Sequence, residues 1–294
     1  MSSTSFSTDS NTSIHVRITH PSKHFDKPLL VFLHYWGGTS STWYKLTSPE
    51  TSTSLAHEYP TAAVDLRGWG KSTGPLDDER AYSIAAMAAD VASVLLQVHQ
   101  DAANGRLLAN GFVLIGQSMG AKVALATLSA LSDNLLKALK GIVLVAPAPP
   151  TPLVLPNEMK EQQKVAYKTA ESVRWTITNV LAIAENLNET DLETVVRDSL
   201  SGNPLAKAAW PGYAMEEDVS QDVKKALATL AAGVRVRVLA GEFDIVEPKE
   251  RVEREVCQFL EDAGADVSFQ VVDGVKHLIP LERPDAIYEA AVGL

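Results

Sequence analysis

The chain has 294 residues, of which 46% are hydrophobic and 21% charged, with a formal net charge of -10. This is ample apolar material for a large buried core and excludes an intrinsically disordered chain. The acidic balance argues against nucleic acid as a partner, because phosphate binding needs basic patches, and mildly against strongly anionic substrates. The opening stretch "MSSTSFSTDSNTS" has no basic start and no apolar run, so it reads as a frayed tail rather than a signal peptide. "SIHVRITHP" alternates and predicts an early, partly exposed antiparallel strand. "LLVFLHYW" (Leu29 to Trp36), "TAAVDLRG", "FVLIG", "GIVLVAP", "VRVRVLAG" and "DVSFQVVDG" then read as successive strands.

Helical periodicity lies between these runs. "SIAAMAADVASVLLQVH" places Ile84, Met87, Val91, Val94, Leu95 and Val98 on one stripe. "MGAKVALATLSAL" follows "FVLIG", and "EPKERVEREVCQFLEDAG" has Pro248 near its start and Gly264 after its end, as helix punctuation requires. Strands alternating with helices predict an α/β fold, a mostly parallel sheet flanked by helices on both faces. The rhythm breaks at Pro147, Pro149, Pro150, Pro152 and Pro156, and no strand pattern returns until "VRVRVLAG". The span 147–222 reads as a helical cap inserted into a core made of 1–146 and 223–294. No apolar run reaches the ~18 residues of a membrane helix, so no membrane partner is expected. The one cysteine, Cys257, excludes an internal disulfide and fits a reducing, cytoplasmic location. It shares an apolar stripe with Val252, Val256 and Phe259 and reads as core packing.

Chemistry concentrates at Gly116-Gln117-Ser118-Met119-Gly120, a G-x-S-x-G pattern where a strand run gives way to a helix. Glycines there permit a sharp turn that exposes a serine hydroxyl at the helix N-terminus. Such a hydroxyl needs a base to take its proton. His277 is the sole histidine after Ser118; His15, His20, His24, His34, His57 and His99 all precede it. His277 follows the last strand run, at the end of the sheet where Ser118 stands. The base needs an acceptor on its other nitrogen, and Asp244, just past "VRVRVLAG", is the best placed, with Glu242 and Glu247 as rivals. No H-E-x-x-H, Cys/His cluster or phosphate-cradling glycine loop is present, so neither metal nor cofactor is expected.

Five ordered motifs together resemble the α/β-hydrolase fold family, capped serine esterase branch, over nearly the whole chain. They are His34-Tyr35-Trp36-Gly37-Gly38, the turn from Asp65 to Ser72 (DLRGWGKS), the serine elbow, Gly241-Glu242-Phe243-Asp244, and the loop from Lys276 to Glu282. The resemblance implies a Ser118-His277-Asp244 triad with an oxyanion hole made by the N–H groups of Met119 and Trp36. Tyr35 stands where relatives carry glycine, which leaves Gly37 open as the second donor. His34 is expected to brace the oxyanion loop and Arg67 to tie down its turn. Serine at the nucleophile position separates the chain from relatives that use aspartate (epoxide hydrolases, haloalkane dehalogenases) or cysteine (dienelactone-type hydrolases). The implied activity is hydrolysis of a small-molecule carboxylic ester or lactone. Hydroxynitrile lyases, perhydrolases and C–C bond hydrolases use the same constellation, and a ligand receptor is a further alternative. Trp36, Met119, Trp175, Trp210 and Tyr213 are the expected apolar pocket lining. Oligomeric state is not legible.

Overall fold

The structure is a computed structural model and describes residues 2–21, 26–101, 104–230 and 233–294; His24 lies outside them. Eight strands form one sheet in the order β1-β2-β4-β3-β5-β6-β7-β8. They are β1 (Ser2–Ser7), β2 (Ser13–Thr19), β3 (Leu29–Leu33), β4 (Thr61–Val64), β5 (Phe112–Gln117), β6 (Leu139–Val145), β7 (Arg235–Gly241) and β8 (Asp266–Val272). β1 and β2 run antiparallel and β3 to β8 are parallel. Each central strand alternates its side chains between two apolar layers. Leu29, Val31, Leu33, Phe112, Leu114, Ile142 and Leu144 enter one core. Leu30, Phe32, Val113, Ile115, Val143 and Val145 enter the other. Burial on both faces explains why these strands read as unbroken apolar runs.

The first core is covered by the helices Ile84–Gln100 and Met119–Ala130, and all six residues of the expected stripe, from Ile84 to Val98, are buried in it. The other core is closed by the helix Pro284–Val292 together with Trp43 and Leu46. Cys257 is buried beside Val252 and Val256, and burial, then nearby Glu261 and Glu253, push its thiol up to about 12. Among the described residues no helix is long and apolar enough to cross a membrane.

The N-terminal tail departs from expectation. Ser2–Ser7 is a strand, not a frayed end, paired to β2 from Ser2↔Ile18 to Ser7↔Ser13. Only Phe6 of β1 is buried, so backbone hydrogen bonding rather than an apolar face holds it.

Between β6 and β7 the chain forms the helices Asn157–Ala166, Ala170–Thr176, Glu189–Ser201, Pro204–Gly212 and Ser220–Ala228. The last packs on Met119–Ala130, so the boundary expected at 222 falls inside a helix of the core layer. Lys122 secures this insertion. It is fully buried on the helix Met119–Ala130, and its Nζ donates to the carbonyls of Thr151 (3.0 Å) and Met215 (2.9 Å), near the two ends of the inserted segment. Burial lowers its pKa to about 8, against the pull of Glu217, Asp218 and Glu247.

Candidate active site

The parallel strands all end on one side of the sheet, and the loops after β5, β7 and β8 meet there. Ser118 follows β5 with φ 53° and ψ -116°, a left-handed conformation that costs a non-glycine residue roughly 1–3 kcal/mol. Neighbouring backbone holds it there: its N–H donates to Val145 O, and its carbonyl accepts from Ala121 and Ala148 N–H. The flanking glycines are required by close approach. A Cβ on Gly116 would lie 2.4 Å from Gly120 O, and one on Gly120 would lie 2.4 Å from Leu33 O and 2.5 Å from His34 O. Gly120→Ala should therefore destabilise the fold by ~1–3 kcal/mol or more, read as a lower denaturant midpoint at unchanged slope. A midpoint equal to wild type would contradict the tight packing described.

Asp244 lies in the turn after β7 and His277 in the loop after β8. His277 Nδ1 is 2.7 Å from Asp244 Oδ2, and both side chains are buried. Asp244 Oδ1 accepts the N–H groups of Val246 (2.8 Å) and Glu247 (3.1 Å), so the carboxylate is fixed before it meets the ring. The histidine loop is held from two sides. Gln117 Nε2 donates to His277 O at 2.8 Å, tying it to the serine elbow. The N–H groups of His277 and Leu278 both donate to Leu181 O in the insertion, at 2.9 Å each. Burial is the largest single influence on His277 and favours the neutral ring. Asp244, Glu247 and Glu282 together outweigh it, and the pKa is raised above the ordinary 6.5.

The rival acids have other partners. Glu242 Oε2 accepts Gly274 N–H at 2.9 Å. Glu247 Oε2 accepts from Arg251 Nη2 at 2.6 Å. Asp65 is engaged by His15 Nδ1 and by the N–H groups of Ser40 and Lys71, far from the histidine loop in the bonding network.

The loop after β3 carries Tyr35 to Gly38. His34 accepts Leu66 N–H on Nε2 (3.0 Å), so its proton lies on Nδ1 and is donated to Tyr35 O (2.7 Å). Burial lowers its pKa to about 4, which keeps this brace neutral. Arg67 makes a bidentate pair with Asp90, at 2.7 and 2.8 Å. The insertion also grips the loop: Trp36 Nε1 donates to Lys207 O, Tyr167 Oη to Trp36 O and Ser199 Oγ to Gly37 O. Met119 is the first residue of its helix, so its N–H is one of the donors without an intrahelical acceptor.

Ser118 and His277 line one cavity of about 110 Å³, walled by Tyr35, Trp36, Leu155, Tyr167, Trp210 and Val246 among others. Trp210 is nearly buried in that wall, while Trp175 lines it at the rim and is 57% exposed. Two expected lining residues are elsewhere. The Met119 side chain packs into the core as the helix turns inward. Tyr213 lies away from the cavity: its Oη accepts Tyr82 N–H at 3.2 Å and Arg80 sits over its ring. Gln117 and Leu181 were not anticipated as parts of the site, and Glu247 was anticipated only as a rival acid. Position inside G-x-S-x-G was the only sequence signal for Gln117, and Leu181 acts through a carbonyl that leaves no signature.

The sequence pattern of the alpha/beta hydrolase family matches residues 30–290. A segment of 144 residues, 49% of this chain, is 28% identical to the Arabidopsis thaliana protein named "Probable lysophospholipase BODYGUARD 1" and spans 28% of that protein's length. An esterase structure from Thermogutta terrifontis matches with TM-score 0.69 and 21% identity, covering 100% of this chain and 97% of that one. An esterase from Rhodococcus sp. ECU1013 matches with TM-score 0.72 and 22% identity, covering 100% and 98%. At these identities the structural likeness is one of fold.

Proposed function

Because the chain belongs to the alpha/beta hydrolase family, we propose that it is a serine hydrolase of small carboxylic esters or lactones, working through an acyl-enzyme on Ser118. The observation that carries this reading is the buried 2.7 Å contact of His277 Nδ1 with Asp244, in a loop tied to the serine elbow through Gln117. With Nδ1 held by the carboxylate, Nε2 is the nitrogen left to take the Ser118 proton. Ser118 Oγ attacks the carbonyl carbon, and the N–H groups of Met119 and Trp36 receive the developing oxyanion. The imidazolium, stabilised by Asp244, protonates the leaving alcohol. Water then repeats the sequence on the acyl-enzyme. Span 147–222 acts as the cap, roofing Ser118 through Leu155, Tyr167 and Trp210. The acid-rich chain and its buried lone thiol support a cytoplasmic enzyme.

The cavity is walled mainly by apolar and aromatic side chains, and Trp210 closes part of that wall, which favours short, uncharged acyl groups. Across p-nitrophenyl esters from acetate to palmitate, kcat/KM should peak at short chains, and Trp210→Leu should move the peak to longer ones. A steady rise to palmitate in wild type would refute the size assignment. Turnover of simple esters, compared with cyanohydrins, peracid formation and C–C cleavage substrates, separates this reading from the other reactions of the same constellation.

A further inference from the structure

One ionisable group in the cavity wall has no part in the sequence of steps above. Glu247 is 1% exposed and lines the cavity with Ser118 and His277. Its Oε2 is paired with Arg251, but its Oε1 is buried with no partner. A buried carboxylate oxygen left unsatisfied is costly. Its backbone is held by the same acid, since Glu247 N–H donates to Asp244 Oδ1. Asp244 thus holds both His277 and the backbone of Glu247, and the two side chains line one cavity.

We propose that Glu247 is a positioning residue that acts through His277: its ionised carboxylate supplies a second negative charge, beyond Asp244, that stabilises the imidazolium formed when Ser118 gives up its proton. The inference rests on the Ser118-His277-Asp244 reading. The proton balance is simple. One proton moves from Ser118 Oγ to His277 Nε2, Asp244 and Glu247 stay ionised, and the same proton leaves with the alcohol. In the low-dielectric wall a charge acts over longer range than in water. The charged and titratable groups facing Glu247 are Arg251 on the following helix, Asp244 in the same turn, His277 from the loop after β8, and Lys122 from the helix after Ser118. Burial raises the Glu247 carboxyl to about 7, although Arg251 and His277 pull it down. The fully active form has His277 neutral and Glu247 ionised.

Glu247→Gln tests this, because the amide keeps an acceptor for Arg251 and removes the charge. With a short p-nitrophenyl ester followed from about pH 5 to about pH 9, wild-type kcat/KM should fall on the acid side as His277 takes up its proton. Glu247→Gln should fall at a midpoint lower by about half a unit. That is less than the 1–3 units of an adjacent opposite charge, because Arg251 offsets part of the field. Plateau kcat should drop about threefold, the equivalent of half a unit, with KM unchanged. An unchanged midpoint would overturn the proposal and leave Glu247 as an anchor for Arg251. A second readout needs no turnover. In Ser118→Ala protein, the His277 ring is titrated by NMR with and without Glu247→Gln, and the pKa should be lower with glutamine. An equal pKa would overturn the proposal. Undiminished ester turnover in Ser118→Ala would instead overturn the nucleophile assignment, and the NMR titration would still report on Glu247.

Discussion

Ser118→Ala is expected to lower kcat for a short p-nitrophenyl ester by roughly 10⁴-fold or more, with the fold preserved. In the proposed mechanism the acyl-enzyme forms on Ser118, whereas the oxyanion donors remain and leave only a small residual rate. The backbone sharpens this prediction. Ser118 is held at φ 53°, which alanine tolerates no better than serine but glycine adopts freely. Ser118→Gly should be as inactive as Ser118→Ala and more stable than it by about 1 kcal/mol, read from denaturant midpoints. Equal stability would mean the elbow is not strained. Activity near wild type in either variant would remove Ser118 from the chemistry.

His277→Ala should be nearly as damaging, because triad members act as a unit, and the double variant should lose little more than either single one. Asp244→Asn should cost up to ~10⁴-fold by favouring the wrong ring tautomer and withdrawing the charge that steadies the imidazolium. The pH dependence follows from the sign of the shift. The His277 pKa is raised, and the base works only when neutral. Wild-type activity should therefore climb with pH through a midpoint above the ordinary histidine value of ~6.5. Asp244→Asn should lower that midpoint, since the charge that raised it is gone. Glu242→Gln should leave both rate and midpoint near wild type, because Glu242 serves Gly274 N–H. A severe loss in Glu242→Gln with a mild one in Asp244→Asn would reverse the assignment of the acid.

The residues that proved legible are those whose role leaves a local trace. Leu29 to Leu33 and Phe112 to Ile115 are buried on both faces and so read as apolar runs. Ile84 to Val98 is buried on one face and so reads as a helix with a stripe. Ser118, Asp244 and His277 stand out in the sequence because each follows a strand run, and a parallel sheet brings such ends together. β1 was missed because its alternation is Ser and Thr with a single buried Phe6, and backbone pairing has no compositional signal. Tyr213 was misplaced for a different reason: its partner Tyr82 is 131 residues away, a distance that no local pattern bridges. Lys122 could have been flagged as the lone charge in "MGAKVALATL", but its acceptors, the Thr151 and Met215 carbonyls, are set by the tertiary fold. Glu247 was legible only as a rival acid. Its burial in the cavity wall, with one oxygen unpartnered, is set by the tertiary fold and has no local signal.

The most direct test of the catalytic assignment is covalent labelling with a fluorophosphonate, followed by peptide mass spectrometry. An activated serine beside a histidine base reacts with it, and an ordinary surface serine does not. Wild-type protein should carry one adduct, on Ser118. His277→Ala should label much more slowly and Ser118→Ala not at all. An adduct on a different serine, or ester turnover that persists after Ser118 is fully labelled, would contradict the account.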